Sequence, residues 1–294
     1  MKPAKFDYYA PSSLPEALAL TARFGEDAKI LAGGQSLMPL MNMRLARPGV
    51  VIDINRISEM AYISQDGNDA LAIGALTRQR AMERSSAVRE TFPLLAAAVP
   101  YIGHSQIRNR GTIGGSMAHA DPAAELPALG LALDAELILA SATGQRVVKA
   151  EDFFLGQLTT ALTPGEILTE VRFPGTIGRW AWGFQEVCRR EGDFALVGAI
   201  ALLDLDGSGA CQAARITIFG VGGAPARIPT AEERLVGTTV DSADREAAAE
   251  AVSQALDPVS DIHASATYRK QVGGVMARRA LEDAIHQANG ASRP

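Results

Sequence analysis

Two glycine turns, about 70 residues apart, constrain this chain more than any other feature: residues 31–37 read LAGGQSL and residues 106–121 read QIRNRGTIGGSMAHAD. Glycine adds no Cβ and tolerates positive φ, so backbone amides at such turns can approach an anionic ligand closely. Two separate turns point to one extended ligand with a pyrophosphate, held from two sides. Neither turn is the G-x-G-x-x-G of a Rossmann dinucleotide site, and neither is G-x-x-x-x-G-K-[ST]. The competing reading of each is a tight turn that binds nothing.

The chain has 294 residues, enough for one large domain or two to three smaller ones. A net charge of −5 argues against a nucleic-acid partner, which calls for a basic face. The longest apolar stretch, around residues 126–140, is interrupted by Asp134 and Glu136 and is too short to span a bilayer. The N-terminal MKPAKFDYY has no apolar signal core, so a cytoplasmic location is expected. Cys188 and Cys211 are the only cysteines, too few for a four-cysteine iron–sulfur or zinc site. The four histidines have no ligand-like spacing. Any redox group bound here is therefore an organic cofactor.

Residues 13–24 read as a first helix, with Ser13 and Glu16 at capping-box spacing and Gly25 as its stop. Strands follow at 28–32 and 50–54, separated by the first glycine turn and a polar-poor segment at 36–45. That sequence of elements is a small parallel α/β unit. Further on come a strand at 70–74, helices at 78–85, 93–102 and 126–133, a strand at 135–140, a hairpin turn at Thr143-Gly144 and a strand at 166–173. The last part holds strands at 180–189, 199–205 and 214–219, then helices at 243–255 and 268–287. In the final helix Tyr268, Val272, Val275 and Met276 share one side. The best domain boundary lies at residues 175–178.

Six blocks in order, FDYYAPSSLPEAL, AGGQSLMPLMNMRLARPGVVIDI, IRNRGTIGGSMAHADPAAELP, FFLGQLTTALTPGEILTEVRFP, RREGDFALVG and YRKQVGGVMARRAL, resemble the FAD-binding medium subunit of the molybdenum hydroxylases. That family includes carbon monoxide dehydrogenase, hydroxylases of nitrogen heterocycles and the flavin domain of xanthine dehydrogenase. The resemblance implies an α+β chain. Residues 1–176 would form a two-part FAD-binding domain similar to the vanillyl-alcohol oxidase type, divided into 1–55 and 56–176. Residues 177–294 would form a C-terminal antiparallel sheet with helices.

The resemblance places the FAD pyrophosphate at Ala32, Gly33, Gly34, Gln35, Ser36 and Leu37, and a second turn beside it at Gly111, Thr112, Ile113, Gly114 and Gly115. The residues themselves agree, since successive amides at Gly33-Gly34 and Gly114-Gly115, with the Ser36 and Thr112 hydroxyls, are donors without positive side chains. Asp121 or Glu125 is implied near the ribose or adenine; acids at a helix start beside Pro122 are the equal alternative. Leu168, or its neighbour Ile167, matches a residue whose backbone meets the flavin ring. In the xanthine dehydrogenase relatives a lysine close to the flavin stands at the position matching Gln185, and a neutral amide there would alter the flavin potential. Arg189, Arg190 and Asp193 either shape the loop over the flavin or are exposed charges. Arg108 and Arg110 face phosphate, a partner or water, and His119 is structural or at the flavin edge.

The function implied is electron transfer within a molybdenum hydroxylase: FAD receives electrons from the [2Fe-2S] clusters of a small subunit, fed by a large molybdopterin subunit, and passes them to an external acceptor. The expected assembly is a dimer of heterotrimers without nucleic acid or a membrane span. The alternatives are a self-sufficient flavin oxidase or reductase of the same fold type, and a flavin-free protein that kept the fold.

Overall fold

The computed structural model describes residues 1–65, 69–175, 177 and 180–290, so part of the expected boundary at 175–178 lies outside the described residues. The N-terminal unit contains β1 (Asp7–Tyr9), α1 (Leu14–Phe24), β2 (Ala28–Leu31), α2 (Leu37–Asn42) and β3 (Val50–Asp53). Its three strands run parallel in the order β1-β3-β2. Helix α1 starts where the Ser13 hydroxyl accepts from the Glu16 amide and stops at Gly25, whose φ is +53°. The Glu16 carboxylate accepts from the Ser12 amide at 2.9 Å rather than from Ser13, so only half of the expected capping box forms.

The second unit opens with β4 (Ile63–Gln65) and β5 (Leu71–Gly74). Five short helices follow: α3 (Gln79–Arg84), α4 (Ser86–Thr91), α5 (Pro93–Ala98), α6 (Ser105–Arg108) and α7 (Ile113–His119). Then come α8 (Glu125–Ala132), β6 (Glu136–Ser141), β7 (Gly144–Lys149), α9 (Ala150–Phe153), β8 (Phe154–Gly156), β9 (Thr159–Thr160) and β10 (Ile167–Phe173). The single helix expected over 93–102 ends at Ala98, because Pro100 cannot donate into an α-helical ladder, and a 3-10 turn replaces its end. The main sheet is antiparallel in the order β4-β5-β10-β6-β7, and β8 pairs with β9 apart from it.

The third unit has β11 (Ala181–Val187), β12 (Val197–Leu205), β13 (Cys211–Phe219) and β14 (Ala226–Arg227), all antiparallel. Helices α10 (Pro229–Glu232), α11 (Ser242–Ala255) and α12 (Ala266–Ala288) follow. Its sheet is buried on both sides, and its side chains divide by the period of two that a strand imposes. Phe184, Ile200, Leu202 and Phe219 join the core of the first two units, whereas Val197, Ala199, Ala201 and Leu203 pack with α11 and α12. Helix α8 lies between the second and third units and is apolar all round after Glu125, which is why every one of its residues is buried.

In α12 the buried side is not the one expected from Tyr268 and Val275, which are 41% and 39% exposed. Of the residues expected to share a side, Met276 is buried and Val272 half-buried, together with Gly273, Ala277, Ala280, Leu281 and Ala284. Small residues win because α11 and β11 approach closely: a Cβ on Gly274 would stand 2.6 Å from the Ala249 carbonyl oxygen. Among the described residues no helix is long and apolar enough to cross a membrane, and no cluster of metal-ligating side chains occurs.

Candidate functional site

The first glycine turn joins β2 to α2. The chain leaves the parallel sheet after Leu31, reverses through Gly34 at a φ of +73° and enters the helix at Leu37. The Gln35 side-chain amide donates to the Gly33 carbonyl at 3.1 Å, which keeps the turn compact. Among the described residues the amides of Gly33, Gly34, Gln35, Ser36 and Leu37 have no acceptor. Backbone donors at a half-buried position are normally paired, so a run of five open ones is a concavity suited to an anion.

The second segment differs from the expected open turn. Thr112 is the N-cap of α7, and its hydroxyl accepts from the Gly115 amide at 3.0 Å. The Gly114 amide donates to Ala75 at 2.9 Å, Ile113 to Thr77 at 3.1 Å and Gly111 to Ile107 at 2.7 Å. These donors are consumed inside the protein, and Thr112 is itself buried, so the expectation that Gly114-Gly115 and Thr112 offer free donors is corrected. The glycines answer to close packing instead. A Cβ on Gly114 would stand 2.4 Å from that of Ala75, and one on Gly33 would stand 2.5 Å from the Arg110 carbonyl oxygen. Only Gly34 among the five turn glycines has a left-handed φ.

A polar chain that sequence reasoning missed ties the two segments together. Asn55 donates through Nδ2 to the Ala32 carbonyl at 2.7 Å and accepts from Arg78 at 2.6 Å. The same guanidinium donates to the Arg110 carbonyl at 2.5 Å. Behind Asn55, the Asp53 carboxylate accepts from Asn55 through both its amides and from the Tyr8 hydroxyl at 2.6 Å. Burial pushes the Asp53 carboxyl up, but the hydrogen bonds from Tyr8 and Asn55, with Arg110 nearby, outweigh it and hold it below the usual range. Burial and the neighbouring Arg110 lower Arg78. The Asp53-x-Asn55 spacing at a strand end is an Asx-turn signal that was visible in the sequence. A cavity of about 380 Å³, walled in part by Tyr62 and Thr77, adjoins Asn55 and Arg78.

The other expected residues divide. Asp121 accepts from the Ala123 amide at 2.9 Å in the turn before α8, whose N-cap is Ala124. Leu168 is buried at the top of β10, next to a bulge whose Thr169 carbonyl accepts from Ala75 at 2.8 Å, one peptide from the contact with Gly114. Glu125 is only 4% exposed, and burial chiefly raises its carboxyl to about 7. Glu186 is raised to about 8, first by burial and then by the charge of Glu125, and its Oε2 is buried with no hydrogen-bond partner among the described residues. Burial lowers His119.

Gln185 lies in β11. Its neighbour Phe184 packs on Tyr101, at 4.9 Å between ring centroids, inside the first core. Alternation along β11 turns Gln185 to the opposite face, where Nε2 donates to Asp283 of α12 at 2.8 Å. Arg108 faces neither phosphate nor water: it donates to Glu83 at 2.9 Å and to the carbonyls of Pro100, Ile102 and Gly103 at 3.1, 3.0 and 2.7 Å. Arg110 and Arg190 are exposed, and Arg189 lies 3.2 Å from His263.

Residues 4–176 match the model of the FAD binding domain in molybdopterin dehydrogenase, and residues 182–284 match the CO dehydrogenase flavoprotein C-terminal domain. The chain is 45% identical over 288 residues to the 6-hydroxypseudooxynicotine dehydrogenase complex subunit alpha of Paenarthrobacter nicotinovorans, covering 98% of this chain and 97% of that one. It is 39% identical to the caffeine dehydrogenase subunit beta of a Pseudomonas species, across 96% of this chain and 95% of the relative. Among solved structures, carbon monoxide dehydrogenase from Hydrogenophaga pseudoflava superposes with a TM-score of 0.94 at 38% identity, covering 98% of this chain and 99% of the other. Glycine segments, polar tie and C-terminal sheet thus sit in one continuous match, and the chain belongs to the FAD-binding medium subunits of the molybdenum hydroxylase family.

Proposed function

We propose that this chain is the flavin subunit of a multi-subunit molybdenum hydroxylase, receiving electrons from the [2Fe-2S] clusters of a small partner and delivering them to an external acceptor. The run of five open amides at residues 33–37, in a chain matched to an FAD-binding family, carries this reading. Those donors fit a pyrophosphate without a cationic side chain. When bound, FAD supplies the junction between one-electron and two-electron carriers. This chain's part is to bind and orient the cofactor.

In this reading Ala32, Gly33, Gly34, Gln35, Ser36 and Leu37 hold the pyrophosphate, and Gly111 to Gly115 form the wall behind it. Asp121 and Leu168 border the sugar and the ring, and Glu125 lies buried behind Asp121. The FAD-binding domain comprises residues 1–176, in parts 1–55 and 56–176, and residues 177–294 form the C-terminal domain. Partners are a small iron–sulfur chain and a large molybdopterin chain, assembled as a cytoplasmic dimer of heterotrimers. The primary substrate is chosen on the large chain, in keeping with similar subunits that belong to enzymes named for caffeine, carbon monoxide and 6-hydroxypseudooxynicotine.

Co-expression with the two partner chains, followed by native mass measurement and flavin absorbance, tests this. An equimolar complex with one FAD per copy of this chain is expected. A flavin-bearing homo-oligomer that oxidises substrate unaided would instead mark a self-sufficient oxidase or reductase.

A further inference from the structure

Resting on that FAD reading, we infer that Asn55 and Arg78 are positioning residues for the cofactor: by holding the Ala32 carbonyl, Asn55 aims the Gly33 amide at the pyrophosphate, and Arg78 locks Asn55 in place. The carbonyl of Ala32 and the N–H of Gly33 belong to one planar unit, and among the described residues no peptide bond is cis. In a trans unit the two groups point in opposite directions. The 2.7 Å bond from Asn55 to the Ala32 oxygen therefore turns the Gly33 N–H away from Asn55, where it has no protein acceptor. The next peptide is treated likewise, since Gln35 holds the Gly33 carbonyl and so directs the Gly34 N–H. Two side-chain amides thus fix two successive members of the donor run.

Asn55 can do this only if its own rotation is fixed. Its Nδ2 also donates to Asp53 at 2.6 Å, and its Oδ1 accepts from Arg78 at 2.6 Å. The guanidinium spans to the Arg110 carbonyl, the residue before Gly111 and the one on which Gly33 packs. One side chain therefore sets both the orientation of Asn55 and the spacing between the two segments. Asn55 and Arg78 are half-buried polar side chains outside the two hydrophobic clusters, so their removal opens no apolar cavity in the core.

The test uses the purified complex with its partner chains, depleted of flavin and titrated with FAD, for wild type, Asn55→Ala, Arg78→Met and Arg78→Lys. Asn55→Ala and Arg78→Met should each weaken FAD binding by about tenfold or more, the loss expected for an orienting hydrogen bond to a cofactor site. Arg78→Lys keeps a donor and should recover part of it. The midpoint potential of the flavin that does bind should stay at the wild-type value, because the phosphate end alone is disturbed, and the melting temperature of the flavin-free complex should not move. A general loosening would shift potential and melting temperature together. FAD affinities within about twofold of wild type, or a loss tracked by the flavin-free melting temperature, would overturn the inference. A wild-type complex that takes up no FAD would overturn the functional reading itself.

Discussion

Gly33 and the carbonyl of Arg110 stand so close that a single added methyl group would lie 2.5 Å from the oxygen. Both clash partners are backbone, so the contact cannot be relieved by a rotamer change. Gly33→Ala should push the first segment off the second and weaken FAD binding by about tenfold or more, at a stability cost of roughly 1–3 kcal/mol. Gly114→Val should fail differently, since its clash with Ala75 lies at the root of α7, and should lower the melting temperature before affinity can be measured. Flavin titration and thermal melts of the two variants separate these outcomes. A Gly33→Ala protein with wild-type affinity would show that the spacing of the segments is not critical.

Glu125 and Glu186 give the protein a predictable pH response. In the folded chain they keep their protons to about pH 7 and about pH 8, whereas unfolded they lose them near the ordinary value of 4.5. Between those limits the unfolded state binds fewer protons, so stability falls as pH rises from about 5 to 8 and levels off above. Arg108 opposes the shift at Glu125 and Asp121 adds to it. Glu186→Gln removes one titration and should stabilise the protein at pH 8 by roughly 1–3 kcal/mol relative to wild type, with little change at pH 5. Denaturant melts at pH 5, 6.5 and 8 check this; parallel curves for both proteins at every pH would refute it.

Gln185→Lys tests the alternation of β11. The new ammonium would face Asp283 across the C-terminal sheet and form an ion pair there. Spectroelectrochemical titration should therefore find the flavin potential unchanged. A clear positive shift would mean that the side chain reaches the cofactor.

Arg108 is the most heavily bonded buried cation of the second segment, with Glu83 and three carbonyls as partners. Burial pushes the Glu83 carboxyl up, and its bonds from Arg80 and Arg108 more than offset this. Arg108→Met leaves Glu83 with Arg80 alone and takes the donor from three carbonyl oxygens at once. A loss of about 2–3 kcal/mol is expected, a drop of roughly 5 °C in melting temperature by calorimetry. A loss below about 1 kcal/mol would mean the loop reorganises freely.

The parallel unit was legible because β2 and β3 are short apolar runs broken by turn residues, and the hairpin of β6 and β7 because Thr143-Gly144 marks it. Strand β1 was missed: DYY is short, polar at its start and largely exposed, and pairing with β3 alone makes it a strand. Helix α7 was hidden for a related reason. TIGGSMAH reads as a turn by propensity, yet the Thr112 cap and the packing of Gly114 on Ala75 offset what glycine costs in a helix. At the site, the first turn was visible in the order of its residues. The Asn55–Arg78 tie was not, because its members come from separate stretches that only the fold brings together.

Strand β11 is read from both sides, with Phe184 and Glu186 facing one neighbour and Gly183 and Gln185 the other. Deleting or inserting one residue within it would exchange the two sets, placing a phenylalanine against the Ala280 backbone and a glutamine in the aromatic cluster. Single-residue length changes are therefore expected to be tolerated in the turns flanking the strand and not within it. Residues 181–187 act as a molecular ruler whose reading frame, more than any single side chain, keeps the cofactor half and the C-terminal half in step.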